Sequence, residues 1–179
     1  IAGTARGRRL VAPPGLATRP ITDRAKEAIF NMLRAQGVLL DAEVIDLYAG
    51  SGSFGLECLS RGARRVTFVE QSRPALAAIR TNLGNLGFAD RAEIVAGPVE
   101  RVVGTLAPAD LAFCDPPYAD DPWPRLLPRI PARILVAHAE TPVVLTPEWT
   151  ELRRRVYGRA NIVIAERIAT PHVAGTPAD

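Results

Sequence analysis

The sequence predicts an α/β domain built on a doubly wound, mostly parallel sheet. Three observations support this fold class. Short apolar segments alternate with amphipathic helical segments from residue 43 onward, and a glycine-rich turn follows the first apolar segment. The composition, 47% hydrophobic and 23% charged residues, is that of an ordinary globular protein. The 179 residues suffice for one well-buried domain.

The elements can be assigned in order along the chain. Residues 1–22 are rich in proline and glycine, which predicts an extended arm with at most one short strand, near Arg9–Ala12. A helix begins at Thr22 or Asp23, both good capping residues, and ends near Gly37. Five strands are predicted, at Glu43–Leu47, Arg65–Val69, Ala92–Ala96, Asp110–Cys114 and Arg133–Ala139. The helices between and after them are predicted at Phe54–Arg61, Arg73–Leu86, Val99–Thr105 and Trp123–Ile130.

The last part of the chain predicts a β-hairpin. Its strands are Glu151–Tyr157 and Ala160–Arg167, and the chain turns at Gly158-Arg159. The hairpin is expected to give the sheet an antiparallel edge strand. The domain organisation is then a basic arm and helix over residues 1–37, a core over 38–170 and a tail over 171–179.

Several classes of protein do not fit this composition. No apolar run approaches the roughly 20 residues of a membrane span, and no signal peptide is visible, so we expect a cytoplasmic protein without a membrane partner. Cys58 and Cys114 are too isolated for a metal site, and no metal is expected. Both are expected to be buried free thiols. His138 is expected to be buried in or near the fifth strand, without a catalytic role.

The turn after the first strand indicates a nucleotide-like ligand. Gly50, Gly52 and Gly55 match the pattern G-x-G-x-x-G between a strand and a helix, and Glu70 ends the next strand. Glycines let the backbone approach a ligand closely, and the acid can accept hydrogen bonds from ribose hydroxyls. A purely structural tight turn is the alternative interpretation.

Charge separates two candidate cofactors for this turn. Asp46 would place a carboxylate close to the pyrophosphate that a dinucleotide presents to the helix N-terminus, and the two would repel each other. S-adenosylmethionine carries no phosphate but an ammonium and a sulfonium, which a carboxylate attracts. Asp46 therefore favours methyl transfer over hydride transfer.

The tetrapeptide Asp115-Pro116-Pro117-Tyr118 follows the fourth strand, at the edge of the sheet where ligands bind. Prolines stiffen the loop and donate no N–H, so its carbonyls stay free to accept. A carboxylate, free carbonyls and a flat ring suit an exocyclic amino group on a planar base. Taken alone, the tetrapeptide is also ordinary turn chemistry.

These residues resemble motifs I, II and IV of class I S-adenosylmethionine-dependent amino-methyltransferases. The arm and first helix extend the likeness. Gly7-Arg8-Arg9-Leu10, Thr18-Arg19-Pro20 and Thr22-Asp23-Arg24, with the later run Gly55-Leu56-Glu57, resemble the signature of the RsmD family, 16S ribosomal RNA guanine-N2 methyltransferases. The resemblance covers roughly residues 3–168.

The resemblance implies a Rossmann-like fold with a seven-stranded sheet and the following site. Asp115, Pro116, Pro117 and Tyr118 would be catalytic, with Asp115 and the Pro116 carbonyl accepting the two amine N–H groups and Tyr118 stacking on the base. S-adenosylmethionine, which leaves as S-adenosylhomocysteine, would be held by Asp46, Tyr48, Ala49, Gly50, Ser51, Gly52, Gly55, Glu70, Gln71, Val99 and Asp115. The Ala96-Gly97-Pro98-Val99 turn departs from the family's polar residue near adenine, so backbone groups or Val99 are expected there.

The implied substrate is a guanine of 16S ribosomal RNA, guanine 966 in that family, within the small subunit or its assembly intermediate. A monomer is expected. Net charge is +3, and residues 1–26 carry six basic side chains against one acidic one. The proposed RNA contacts are Arg6, Arg8, Arg9, Arg19, Thr22 and Arg24. Thr22 and Asp23 serve equally as helix caps, and a solvated tail is the alternative for the whole arm.

Other features of the sequence leave alternatives open. Arg153-Arg154-Arg155 is a second cationic cluster, which an edge strand explains. Trp123 and Trp149 are expected to be packing residues. A DNA amino-methyltransferase acting on adenine N6 or cytosine N4 shares the Asp-Pro-Pro-Tyr motif, and a non-enzymatic RNA-binding module is the third hypothesis.

Overall fold

The computed structural model describes residues 1–13, 23–117 and 121–168, and within these ranges a seven-stranded sheet forms the centre. Alternating or continuously apolar segments supply its strands. They are β1 (Glu43–Leu47), β2 (Arg65–Glu70), β3 (Ala92–Ala96), β4 (Ala109–Cys114), β5 (Ala132–Ala139), β6 (Trp149–Tyr157) and β7 (Ala160–Arg167). Each predicted strand from β1 to β7 is confirmed within one or two residues.

The strand order is β3-β2-β1-β4-β5-β7-β6. The first five strands pair in parallel, and β7 runs antiparallel between β5 and β6. The predicted doubly wound, mostly parallel sheet is therefore confirmed. The last strand of the chain lies one position inside the edge, and β6 is the edge strand, antiparallel to its neighbour β7.

Five helices accompany the strands in the described ranges: α1 (Asp23–Ala35), α2 (Ser53–Ser60), α3 (Arg73–Leu86), α4 (Val99–Val102) and α5 (Trp123–Leu126). The last two are shorter than predicted. Short 3₁₀ segments, Val103–Thr105 and Leu127–Arg129, continue them. Gly104 and Pro128 lie inside those segments, and both residue types weaken an α-helix.

Two apolar cores lie on the two faces of the sheet. Helices α1, α2 and α3 cover one face, and α4 and α5 cover the other. An aromatic stack holds α1 and α2 on β4. The rings of Phe30 and Phe54 lie 4.9 Å apart between centroids, and those of Phe54 and Phe113 lie 3.9 Å apart. Because Phe113 is two residues before Asp115, the stack supports the strand that carries the predicted site.

The N-terminal segment is attached to α2 and α3 by buried polar side chains. The Ala2 N–H donates to Glu57, which also pairs with Arg61, and the Ala5 N–H donates to the Ser60 hydroxyl. Residues 9–12 form no strand, which agrees with the prediction of an extended arm with one short strand at most. Val11 donates to and accepts from the Asn82 side chain instead, and these two bonds replace a strand partner.

In the described residues, the helices are too short or too polar to cross a membrane. Cys58 and Cys114 are buried free thiols, as predicted. Burial raises the pKa of both thiols well above the usual range, which makes them poor nucleophiles. Trp123 and Trp149 are buried packing residues, also as predicted.

Candidate active site

Three carboxylates lie at the carboxyl edge of the sheet, where the winding direction reverses between β1 and β4. Asp46 lies in β1 opposite Phe113, and Asp115 directly follows β4. Glu70 is the last residue of the neighbouring strand β2. All three lie on the face that α1, α2 and α3 cover, because side chains alternate along each strand. The structure therefore brings the predicted acids together at the position where doubly wound sheets bind ligands.

The glycine-rich turn wraps this edge with an open side. Gly50 and Gly52 adopt φ angles of 57° and 78°, which favour glycine. A Cβ at Gly50 would meet no described atom within 4 Å, so the described part of the chain leaves the turn open there. A Cβ at Gly55 would come within 2.4 Å of the Phe68 ring, so this glycine is needed for α2 to pack on β2. The first glycine leaves room beside the backbone, and the last one allows close packing.

Glu70 connects the end of β2 to the glycine-rich turn. One carboxylate oxygen accepts the Gly50 N–H at 2.8 Å, and the other accepts the N–H groups of Gln71 and Ser72 at 2.8 Å each. A carboxylate offers about four acceptor positions, so three are used by the backbone. Glu70 is consequently held in one orientation at the edge of the turn.

Asp46 is the most deeply buried of the three acids, at 1% exposure. It accepts the Gly55 N–H at 2.9 Å. Burial raises the pKa of Asp46 to about 8, and the charges of Asp115 and Glu70 raise it further, while the Gly55 N–H and Lys26 act in the opposite direction. A cation nearby would favour the ionised carboxylate. With Asp115 and Glu70 close enough to act on Asp46, the site favours a cation over a phosphate.

Asp115 contacts a residue that the sequence analysis did not assign to the site. Its Oδ1 lies 2.8 Å from Nδ1 of His138 on β5, and the Asp115 side chain is 31% exposed. The predicted burial of His138 is confirmed, but its place beside Asp115 was missed. The two residues meet because β4 and β5 pair in a parallel register that aligns Cys114 with Ala137, so that Asp115 and His138, the residues that follow, lie side by side.

The other predicted ligand-binding residues surround the turn. Tyr48 has a φ of 58°, a conformation that is uncommon outside glycine and concentrates at functional sites. Its hydroxyl donates to Glu100 in α4. Burial and this bond raise the pKa of Tyr48 well above the usual range. Ala49 and Val99 are buried, Ser51 is half-buried and Gln71 is exposed.

The tetrapeptide loop is described only in part. Pro116 is buried and Pro117 is exposed. Tyr118 lies outside the described residues, and so do Arg19 and Thr22 of the predicted RNA contacts. Nothing in the structure bears on the roles predicted for these three.

The basic residues of the N-terminal region divide into two groups. Arg6, Arg8, Arg9 and Arg24 are exposed. Arg6 and Arg8 line a cavity of about 350 Å³ beside Leu86 and Phe88, and Arg8 donates to the Asn85 carbonyl at 2.7 Å. This is the end of α3 far from the carboxylates.

Arg24 lies at the start of α1, near the active-site edge. Two residues later, the Lys26 ammonium donates to the carbonyl and hydroxyl oxygens of Ser53, the first residue of α2. The two groups of cations therefore lie on different elements, one beside the end of α3 and one where α1 meets α2.

The described residues contain no group of three or more His, Cys, Asp or Glu side chains able to hold a metal ion. Within the described residues, the candidate site consists of an open glycine-rich turn, three carboxylates and a histidine. Such an arrangement can bind a cation, accept N–H groups and orient a carboxylate.

Comparison with known proteins places these features in a family. The model of the family described as "Conserved hypothetical protein 95" matches residues 1–166. A Bacillus subtilis protein named "Putative rRNA methyltransferase YlbH" is 32% identical over 182 residues, covering 93% of this chain and 97% of that protein. The "Ribosomal RNA small subunit methyltransferase D" of Haemophilus influenzae is 32% identical over 175 residues, covering 88% of each.

The fold agrees with these matches. The solved structure "Putative methyltransferase yhhF from Escherichia coli" superposes with a TM-score of 0.84 at 30% identity, covering 95% of this chain and 97% of that one. The Rossmann-like fold predicted from the sequence is confirmed by this likeness and by the strand order. Because the family model spans nearly the whole chain, the protein belongs to the conserved hypothetical protein 95 family, the RsmD family of methyltransferases.

Proposed function

We propose that this protein transfers a methyl group from S-adenosylmethionine to the exocyclic N2 amine of a guanine in 16S ribosomal RNA. The proposed target within 16S ribosomal RNA is guanine 966, the nucleotide that the resemblance to the RsmD family implies. The observation that carries the proposal is the group of three carboxylates, Asp46, Glu70 and Asp115, around an open glycine-rich turn. A substrate in ribosomal RNA also implies work in the cytoplasm, on the small subunit or its assembly intermediate.

The charge of the pocket supports S-adenosylmethionine as the cofactor. Burial first, and then the charges of Asp115 and Glu70, raise the pKa of Asp46, and a ligand with an ammonium and a sulfonium would favour its ionised form. The open space beside Gly50 leaves the turn accessible to such a ligand. Bound there, S-adenosylmethionine would supply a methyl group already activated by the positive sulfur.

Glu70 is the proposed ribose ligand. By its hydrogen-bond count, one acceptor position of its carboxylate remains for a ribose hydroxyl. Binding both hydroxyls would require it to release one backbone N–H. The Gly50 N–H is the candidate, because it belongs to the turn that the ligand contacts.

Asp115 and Pro116 are the proposed contacts of the guanine amine. The amine is a poor nucleophile, since its lone pair is delocalised into the ring. A carboxylate oxygen and a carbonyl oxygen that accept its two N–H groups orient the lone pair and stabilise the positive charge that develops on nitrogen. As the N–CH₃ bond forms, the S–CH₃ bond of the sulfonium would break to leave a neutral thioether, and one amine proton would pass to Asp115 or to water. The Asp115 side chain is partly exposed and is therefore accessible to a guanine base of the RNA. Tyr118 is the proposed stacking platform for the flipped guanine.

The names of the relatives support RNA as the substrate. The Haemophilus influenzae protein is a ribosomal RNA small subunit methyltransferase by name. The basic residues Arg6, Arg8, Arg9, Arg19 and Arg24, with Thr22, are the proposed contacts to RNA phosphates. Because Arg6 and Arg8 lie at the end of α3 and Glu70 lies just before its start, the bound RNA would have to extend along α3.

The test is transfer of tritiated methyl groups from S-adenosylmethionine to naked 16S RNA, small ribosomal subunits and duplex DNA in parallel. We expect label in RNA or subunits and N2-methylguanosine on nucleoside analysis. Label in duplex DNA as N6-methyladenine or N4-methylcytosine would identify the alternative DNA amino-methyltransferase. The absence of label in all three substrates, with cofactor bound, would favour the non-enzymatic binding module.

Asp115→Ala tests the role of the carboxylate. We expect turnover to fall by about 100-fold or more, because an oriented acceptor at the reacting amine is lost. Cofactor binding measured by calorimetry should persist, because Asp115 is one of several expected cofactor contacts and the glycine-rich turn and Glu70 are unchanged. Asp90→Ala, the same change at an exposed residue beyond α3, should leave turnover unchanged. Full activity of Asp115→Ala would remove this carboxylate from the mechanism.

A further inference from the structure

The carboxylate of Asp115 lies where its own loop can offer it few donors. Glu70, at the equivalent end of β2, accepts the N–H groups of the next two residues, Gln71 and Ser72. The two residues after Asp115 are Pro116 and Pro117, which have no backbone N–H. The same local arrangement is therefore unavailable to Asp115, and among the described residues its donor comes from another element.

His138 supplies that donor from the neighbouring strand. The β4–β5 register pairs Cys114 with Ala137, so His138 is level with Asp115. Its Nδ1 is 2.8 Å from Asp115 Oδ1. The His138 side chain is 3% exposed and is enclosed between β4 and β7, where it pairs with Ile162. A buried ring between two strands has little freedom to turn, so it can fix the group it touches.

The contact also determines which ring nitrogen carries a proton. An ionised carboxylate only accepts hydrogen bonds, so Nδ1 of His138 must be the donor. One carboxylate oxygen, Oδ1, is then engaged by the histidine. The other, Oδ2, is left for a group on the exposed side of Asp115.

We propose that His138 is a positioning residue, which holds Asp115 by Oδ1 so that Oδ2 points to the amine of the substrate. This inference rests on the proposed function, since it assigns His138 a role in presenting Asp115 to an amino group. The histidine acts through Asp115 and has no contact with the substrate. It replaces the backbone donors that the two prolines remove.

Two substitutions separate the N–H donor from the volume of the ring. His138→Asn keeps an N–H donor close to the position of Nδ1, and His138→Leu has a similar size without a donor. We expect His138→Leu to lower kcat by about 10- to 100-fold, because a displaced carboxylate no longer meets the amine in the reactive geometry. The KM for RNA and the cofactor Kd should stay within about twofold of wild type. His138→Asn should recover most of kcat.

Melting temperatures establish that the variants fold. If His138→Leu is unfolded, His138→Phe replaces it, since its ring is close to imidazole in shape and has no nitrogen. Wild-type kcat in the donor-free variant would overturn the proposal. Equal losses of kcat in the Asn and donor-free variants would also overturn it, because the N–H would then be irrelevant.

A structural readout keeps this test independent of the proposed function. In crystals without substrate, we expect the Asp115 side chain to occupy one rotamer in wild type and His138→Asn, and more than one in the donor-free variant. An unchanged Asp115 rotamer in the donor-free variant would overturn the proposal. A wild-type protein that methylates no RNA would instead refute the proposed function, while the rotamer result still decides whether His138 positions Asp115.

Discussion

At Asp46, burial opposes the negative charge of the ionised side chain. The residue is 1% exposed beside two other acids, and burial raises its pKa from the ordinary 3.8 to about 8. An unpaired buried carboxylate weakens the fold whenever it ionises. The chain retains it at the end of β1, where the proposed cofactor would bring positive charge. The Gly55 N–H and Lys26 offset part of this cost, and a bound cation would offset more of it.

The pH dependence of stability follows from this shift. Between about pH 4 and pH 8, the folded protein keeps the Asp46 proton and the unfolded chain loses it, so stability falls as pH rises through that window. Asp46→Asn does not titrate and can still accept the Gly55 N–H. We expect its stability advantage over wild type to grow by about 2 kcal/mol from pH 6 to pH 8 and then to level off.

Chemical denaturation of the cofactor-free proteins measures this difference. Because wild type and Asp46→Asn share every other titrating group, the difference between their stabilities isolates the contribution of Asp46. Parallel pH profiles of the two proteins would mean that Asp46 is ionised in the fold at neutral pH. A charged cofactor analogue should reduce the difference, because it stabilises the ionised carboxylate in wild type.

At the scale of elements, α3 links the N-terminal segment to the glycine-rich turn. The Asn82 amide is 1% exposed, and its nitrogen donates to the carbonyls of Val11 and Ser51. Its oxygen accepts the Val11 N–H at 2.7 Å. One side chain of α3 therefore contacts both the segment proposed to meet RNA and the turn proposed to hold the cofactor.

Asn82→Ala should loosen both contacts. We expect a loss of about 2 kcal/mol in unfolding free energy, since three hydrogen bonds to backbone groups disappear. The Val11 amide should exchange with solvent faster, and cofactor affinity should fall. Asn85→Ala makes the same change one turn later on the exposed side of α3 and should alter none of these. Equal behaviour of the two variants in denaturation and hydrogen exchange would contradict the link.

At the scale of the whole molecule, the two arginine clusters lie at different parts of the fold. Arg6, Arg8 and Arg9 lie on the segment that packs on α2 and α3. Arg153, Arg154 and Arg155 lie on the edge strand β6, where Arg154 pairs with Glu151. Each cluster has three arginines, so substituting one cluster or the other can distinguish a specific RNA-binding surface from general electrostatic attraction.

Replacing Arg6, Arg8 and Arg9 by Gln should weaken RNA binding and flatten its salt dependence. If each contacts one phosphate, the slope of log K against log salt becomes shallower by about 2 to 3. The matched triple replacement of Arg153, Arg154 and Arg155 should leave the slope near wild type. Binding titrations at several salt concentrations provide the measurement. Equal changes in both variants would show that net charge, rather than the N-terminal segment, governs binding.

Much of the fold and of the site was predictable because their signals are local. Strand boundaries followed from apolar runs, and Asp46, Glu70 and Asp115 belong to recognisable spacings at strand ends. His138 has no such spacing. Its contact with Asp115 depends on which strand lies beside β4 and on the register between them, and neither is encoded near residue 138.

The N-terminal segment shows the same limit. Residues 9–12 have a composition compatible with a strand, but the backbone of Val11 bonds to the Asn82 side chain, 71 residues away in the sequence. A pattern over a few residues indicates that hydrogen-bond partners are needed and does not say where they are. The two short helices were predicted too long for a local reason, since Gly104 and Pro128 outweigh the apolar periodicity around them.

The aromatic stack of Phe30, Phe54 and Phe113 determines how the N-terminal region can be studied. Removing α1 would remove the ring of Phe30 from the stack. The rings of Phe54 and Phe113, which support the strand that leads to Asp115, would then be exposed to water. A shortened protein lacking the first 37 residues would lose activity through damage to its interior, whatever those residues do for RNA. Exchanging individual surface side chains is therefore the informative way to dissect this region, and wholesale truncation is not.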